Sequence, residues 1–261
     1  MKRLTMITLV VCLAALPSAA QEKPAEAAKP ATPAAAAEKS KLPPGMAAYV
    51  IVLLKKGPKR EELAGEKDKL VRGHLDYIRS LATTGKLVIA GPFVDDGPVR
   101  GVFVFNTSPE EATALATSDP GVRAGYLDVE VHPWWAAADL GANYKAMCEK
   151  TAPEELPMAQ YQFAFLTRGP KWTPERTPET AKIQEGHMAN INRLYEEGKL
   201  HAAGPFADDG DLRGVFVFKV GSIEEARALS ETDPAVKAGR LALDLHPWMI
   251  AEGLIPKPPA K

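Results

Sequence analysis

Residues 74–105 read HLDYIRSLATTGKLVIAGPFVDDGPVRGVFVF, and residues 187–218 read HMANINRLYEEGKLHAAGPFADDGDLRGVFVF. Laid side by side, 19 of these 32 positions are identical, at an offset of 113 residues. After one inserted residue near Gly221 the offset becomes 114, so that Asp119 matches Asp233 and His132 matches His246. A period this long marks a duplicated domain rather than a solenoid unit.

Working outward, each copy predicts the order β-α-β-β-α-β. The first strand covers 48–55 and 161–167, and the first helix 61–84 and 178–197, with a break in the first copy. The second strand covers 87–90 and 200–203, the third 101–106 and 214–219, and the fourth 126–131 and 240–245. Between the second and third strands, Gly-Pro and Asp-Asp-Gly mark a turn. Ser108 and Ser222 supply the N-cap hydroxyl of the second helix, and Glu110, Glu111, Glu224 and Glu225 supply acids in its first turn. This order is the ferredoxin-like α+β pattern.

The strands also predict how the copies meet. Successive side chains of a strand point to opposite faces. In Val102-Phe103-Val104-Phe105, in 215–218 and in 50–54 both faces are apolar, so helices on one side cannot be the only cover. The expected architecture is α+β: two tandem βαββαβ modules packed sheet to sheet within one chain, a built-in pseudo-dimer. The expected modules are 46–135 and 159–249, with an inter-domain linker at 136–158 and a tail at 250–261.

The N-terminus predicts export. Lys2 and Arg3 precede an apolar run at 4–16 that is too short to span a bilayer, and Ser18-Ala19-Ala20 supply small residues for cleavage before Gln21. The expected location is secreted or periplasmic, with a lipid anchor on Cys12 as the rival, and no later segment is long enough to cross a membrane. Residues 21–45, rich in Ala, Pro, Lys and Glu, read as a disordered tether. Cleavage leaves Cys148 as the sole cysteine, read as an unpaired linker thiol. It also leaves 30 basic against 33 acidic residues, with no long basic run, which argues against nucleic acid as a partner.

Candidate chemistry lies at recurring positions. His74 has Ile78 and Leu81 at i+4 and i+7, and His187 has Ile191 and Leu194, so both lie on the apolar side of a helix. An edge-of-core histidine with a backbone partner is the structural alternative. Asp119-Pro120 and Asp233-Pro234 read as N-cap and N1 of a short turn, which leaves one carboxylate oxygen free for an imidazole. Arg100 and Arg213 close the Asp-Asp-Gly loops, either orienting an anionic substrate or pairing with the loop acids. The pairs Asp95-Asp96 and Asp208-Asp209 read as acids kept in water, because adjacent acids without a third ligand do not define a metal site. No metal and no cofactor is expected: HExxH, CxxC, GxSxG and phosphate-binding glycine loops are all missing. His132-Pro133-Trp134-Trp135 and His246-Pro247-Trp248-Met249 follow the fourth strand and read as packing across the domain interface. His201 aligns with Val88 and is not a duplicated functional residue.

The helix-one histidine, the Gly-Lys-Leu…Ala-Gly-Pro strand, the apolar strand after it and the Glu-Glu-Ala…Asp-Pro…Ala-Gly segment resemble the YciI-like family, the YCII-related domain, over roughly 46–135 and 159–249. The resemblance implies a dimeric α+β barrel. It also implies a His-Asp pair in a cleft, carried onto His74 with Asp119 and His187 with Asp233. A related enzyme removes chloride from a chlorinated hydroxyquinol, which implies proton-transfer chemistry. The export signal, tether and fused copies depart from the small single-domain members. The expectation is an exported enzyme acting by isomerisation or elimination on a small phenolic or carbonyl compound, with Phe93 and Phe206 lining the apolar wall. The alternative is a small-molecule-binding or structural module of the cell envelope. Oligomeric state beyond the internal pair is left open.

Overall fold

The computed structural model describes residues 42–258. The expected signal peptide, Cys12, all but the last residues of the expected tether, and residues 259–261 of the tail lie outside the described residues. The first module comprises β1 (Met46–Lys56), α1 (Lys67–Thr83), β2 (Leu87–Pro92), β3 (Val99–Phe105), α2 (Pro109–Thr117), α3 (Pro120–Arg123) and β4 (Leu127–Ala137). The first helix, expected over 61–84 with a break, is α-helical only from Lys67, and a separate 3-10 turn at Ala64–Glu66 precedes it. After α4 (Tyr144–Lys150), the second module repeats the series with β5 (Met158–Arg168), α5 (Pro178–Glu196), β6 (Leu200–Pro205), β7 (Leu212–Phe218), α6 (Ile223–Ser230), α7 (Pro234–Lys237) and β8 (Leu241–Ala251).

Each module forms one antiparallel four-stranded sheet, in the orders β2-β3-β1-β4 and β6-β7-β5-β8. The sheets pack against each other and the helices cover their outer faces, the arrangement predicted from the doubly apolar strands. The second module divides cleanly by strand period. Phe163, Phe165, Val215 and Val217 join a core continuous with the first module, while Ala164, Leu166, Phe216 and Phe218 pack under the helices with Leu194 and Ala226. Phe163 lies 5.4 Å from Phe93 and 5.2 Å from Trp248, ring centre to ring centre.

Two segments differ from expectation. β4 and β8 continue through the His-Pro-Trp stretches rather than ending before them: Pro133 pairs with Val50, and Pro247 with Gln162. Proline is tolerated because each strand is the last of its sheet, where no further ladder needs the missing N–H. The freed carbonyls are used across the modules: Val94 N–H donates to Pro247 O at 3.0 Å, and Ala207 N–H to Pro133 O at 2.9 Å. The stretch expected as a bare linker contains α4, which packs on α1 and buries Tyr144 and Cys148 completely or nearly so. Burial pushes the Cys148 thiol above its ordinary range.

Candidate functional site

Each short helix, α3 or α7, begins with an aspartate followed by proline, and that cap places the candidate carboxylates. Asp119 Oδ1 accepts from Gly121 N–H at 2.8 Å and Val122 N–H at 3.4 Å. Asp233 Oδ1 accepts from Ala235 N–H at 2.8 Å. The second oxygen of each is spent on a histidine: Oδ2 of Asp119 lies 2.7 Å from His74 Nδ1, and Oδ2 of Asp233 lies 2.8 Å from His187 Nδ1. The capping and dyad readings are therefore both realised in one side chain. Both aspartates are fully buried. A carboxylate only accepts, so Nδ1 carries the hydrogen and the lone pair of the neutral ring is on Nε2. His74 stacks on Phe103 at 5.6 Å and 19°, and His187 on Phe216 at 5.9 Å and 22°. Each ring is thus fixed along one edge and one face.

The dyads differ in one neighbour. Asn190 Nδ2 donates to Asp233 Oδ2 at 3.4 Å, whereas the matching Tyr77 turns its hydroxyl to Leu115 O at 2.9 Å. Burial alone would raise the Asp233 carboxyl. Hydrogen bonds from His187, Ala235 and Asn190, with the His187 charge, outweigh it and hold the group below its ordinary value. A carboxyl depressed on folding stabilises the fold above its unfolded value, about 3.9, and that stability is lost as pH falls below it through the folded value. Asp233→Asn is therefore expected to flatten the acid limb of the stability curve below about pH 4. Urea unfolding at a series of acid pH values measures this, and an acid limb as steep as the parent's would contradict it.

Each histidine opens on a cleft. The first, about 430 Å³, is walled by Leu70, Leu75, Ile78 and Phe103 and carries Arg60, Lys67 and Arg100. The second, about 1010 Å³, carries Trp172, Arg176, Arg213 and Arg240. The other half completes each wall: Met158 and Ala251 reach the first cleft, Met46 and Trp135 the second. Arg100 and Arg213 line the clefts, and both brace their loops. Arg100 Nη1 donates to Asp95 O at 2.6 Å, and Arg213 Nη1 donates to Gly210 O at 3.3 Å and Asp209 Oδ1 at 3.4 Å.

The expected role of Phe93 and Phe206 as cleft wall is corrected. Both are buried between the sheets, and neither lines the clefts. Each follows Gly-Pro at the end of a strand that runs beside the other module, so its ring enters the shared core: Phe93 stacks on His246 at 4.6 Å, and Phe206 meets His132 at 5.3 Å. The reading of all four loop acids as solvated is corrected too. Asp96 and Asp209 are exposed, but Asp95 Oδ2 reaches His246 Nδ1 at 2.6 Å and Asp208 Oδ2 reaches His132 Nδ1 at 2.8 Å, each across the module boundary. His132 Nε2 also bonds Glu130 Oε1 at 2.9 Å, while His246 Nε2 lies 3.3 Å from Asp244 Oδ2 without hydrogen-bond geometry. These crossed pairs went unread in the sequence, although the recurrence of His-Pro-Trp and Asp-Asp-Gly in both copies was the signal. Among the described residues, no group of three or more His, Cys, Asp or Glu side chains is placed to hold a metal ion, and no helix is long and apolar enough to cross a membrane.

A duplicated α+β half with a helix-borne histidine on a capping aspartate defines a class of protein, and comparison with known families gives it a name. The YCII-related domain model matches residues 48–135 and again 164–248, and the chain belongs to that family. YjpA of Bacillus subtilis (strain 168), an uncharacterized protein, is 32% identical over 78 residues, covering 28% of this chain and 89% of YjpA. Among solved structures, a variant chlorite dismutase from Candidatus Nitrospira defluvii superposes with a TM-score of 0.51 at 12% identity, covering 83% of this chain and 95% of that one. The dimeric α+β barrel fold is thereby shared. The 5-chloro-2-hydroxyhydroquinone dehydrochlorinase of Burkholderia phenoliruptrix AC1100, solved with 2,5-dihydroxybenzoquinone, matches at 23% identity over 32% of this chain and 89% of its own, with a TM-score of 0.25.

Proposed function

We propose that this is an exported enzyme in which His74–Asp119 and His187–Asp233 move a proton on a small phenolic or carbonyl compound, leading to isomerisation or elimination. The observation that carries the reading is the division of labour within each aspartate: one oxygen is fixed by the backbone of a helix start, the other by Nδ1 of the histidine. Such a carboxylate sets the tautomer and leaves the Nε2 lone pair free to take a proton. Both histidines line clefts whose walls are largely apolar, which suits a small organic substrate. Arg100 and Arg213 brace the loops beside the clefts and leave other cleft cations to meet the polar substituents of the substrate. Export rests on residues 1–20.

Nitrogen-15 NMR of the imidazole rings tests the reading without a substrate. Both His74 and His187 are expected to hold the hydrogen on Nδ1 when neutral, and Asp119→Asn and Asp233→Asn are each expected to shift the matching ring. Rings that behave as free histidine and ignore both substitutions leave the clefts with ligand binding without reaction.

A further inference from the structure

We propose that the first cleft is selective for a small ring compound bearing a carboxylate, which Arg60 and Lys67 hold in reach of the His74 side; the inference rests on the proton-transfer reading only for what happens to the ligand after it binds. Three cations line this cleft, Arg60, Lys67 and Arg100, against one acid, Glu154. Arg100 is committed to its own loop. Among the described residues, neither Arg60 nor Lys67 forms an ion pair with a carboxylate, although Glu61 and Glu62 follow Arg60 and Glu66 and Asp68 flank Lys67. The Arg60 guanidinium lies 4.3 Å above the ring of Tyr126. Stacking fixes the plane of a guanidinium and leaves its N–H edge available, the geometry that grips a carboxylate through two hydrogen bonds.

The second half shows that these cations are not part of the scaffold. Arg60 stands three residues after Gly57, a glycine held against the backbone of Gly125; the matching Gly169 is held against Gly239, and three residues later comes Trp172. Lys67 stands seven residues before His74, and seven before His187 stands Thr180. The second cleft carries its cations at other positions, Arg176 and Arg240, so the duplicated fold and dyad do not dictate where charge stands, and Arg60 and Lys67 are particular to the first cleft. Its volume, about 430 Å³ against about 1010 Å³ for the second, falls at the small end of ligand clefts. Tyr144 and Pro153, from the stretch between the modules, line it as well. An apolar slot with unpaired cations binds a flat anion best: the ring enters the slot, and the carboxylate meets charge that no protein group has claimed. Holding the substrate by a group that does not react positions the part that does.

The test is a titration of the isotope-labelled full chain with 4-hydroxybenzoate and, separately, with phenol, followed on the His74 ring and the Ile78 methyl groups. The expected result is binding of 4-hydroxybenzoate at least about tenfold tighter than phenol, weakening as salt is added. Arg60→Gln and Lys67→Gln are each expected to weaken the anion several-fold and leave phenol unchanged. His74→Gln is expected to keep anion binding, followed on Ile78, so a failure of the catalytic reading is distinguishable from a failure of this one. Equal affinity for the two compounds, indifference of the anion to both charge substitutions, shifts confined to His187, or no shift with 4-hydroxybenzoate at about ten millimolar, a concentration well above the millimolar constants of weak ligands, overturns the proposal.

Discussion

The His74→Gln/His187→Gln protein is expected to lose proton-transfer turnover by about 10²- to 10⁴-fold, the usual contribution of a positioned general base. Glutamine keeps an amide donor on a side chain of comparable reach, so Asp119 and Asp233 retain a partner and their helix caps stay intact. What is removed is the basic Nε2 of each ring. Because both aspartates are fully buried, alanine would leave a carboxylate without its imidazole and confuse loss of catalysis with loss of fold. Glutamine separates them: unfolding is expected near the parent temperature while turnover falls. The single substitutions divide the activity between a small cleft and a large one, and substrates of different bulk should report them separately. Undiminished turnover in the double variant, measured with any compound the parent converts, would remove the histidines from the chemistry.

Gly91→Ala and Gly204→Ala are expected to be strongly destabilising. A methyl group at Gly91 would lie 2.2 Å from Met249 O and 2.6 Å from Ile250 Cγ2; at Gly204 it would lie 1.8 Å from Trp135 O. The obstacle is backbone of the opposite module, which no rotamer change relieves. The same two glycines offer their carbonyls to indoles across the boundary, Trp248 Nε1–H to Gly91 O and Trp134 Nε1–H to Gly204 O, both at 3.1 Å. The methyl therefore prises apart strands β2 and β8, or β6 and β4, where hydrogen bonds and core meet. Each change is expected to cost about 3 kcal/mol or more, at or beyond the upper end for overpacking. Gly65→Ala, where a methyl meets nothing within 4 Å, serves as the neutral control. Urea midpoints measure all three, and a Gly91→Ala midpoint equal to that of Gly65→Ala would show that the modules give way freely.

The duplication and the sheet-to-sheet packing were legible because they depend on local pattern. Val102 to Phe105 can be apolar on both faces only if both faces are covered, and one chain with two such sheets has its own cover. The dyads were half legible. Asp119 reads as a cap from Asp-Pro alone and His74 as inward from its helical spacing, but their meeting came only from the family resemblance, across 45 residues. The crossed pairs were not legible: Asp95 and His246 are 151 residues apart, Asp208 and His132 76, and a turn rich in Asp and Gly looks the same whether its acid meets water or an imidazole. Gly-Pro reads as turn chemistry, yet the demand on Gly91 and Gly204 comes from the approach of another backbone. Tyr144 and Cys148 were hidden for a simpler reason: a single helical turn or two carries too little periodicity to reveal which side it buries.

Met158 and Ala251 finish the first cleft, and Met46 and Trp135 finish the second. Neither repeat owns a complete compartment. A protein assembled from loose single repeats would have a fraction of working clefts that falls with dilution. Joining the repeats through residues 138–157 replaces that encounter with an intramolecular one, whose effective concentration does not change as the molecule disperses. It also frees the two halves from symmetry. A change on one wall no longer appears on both, so Arg60 and Lys67 can stand where their counterparts are Trp172 and Thr180.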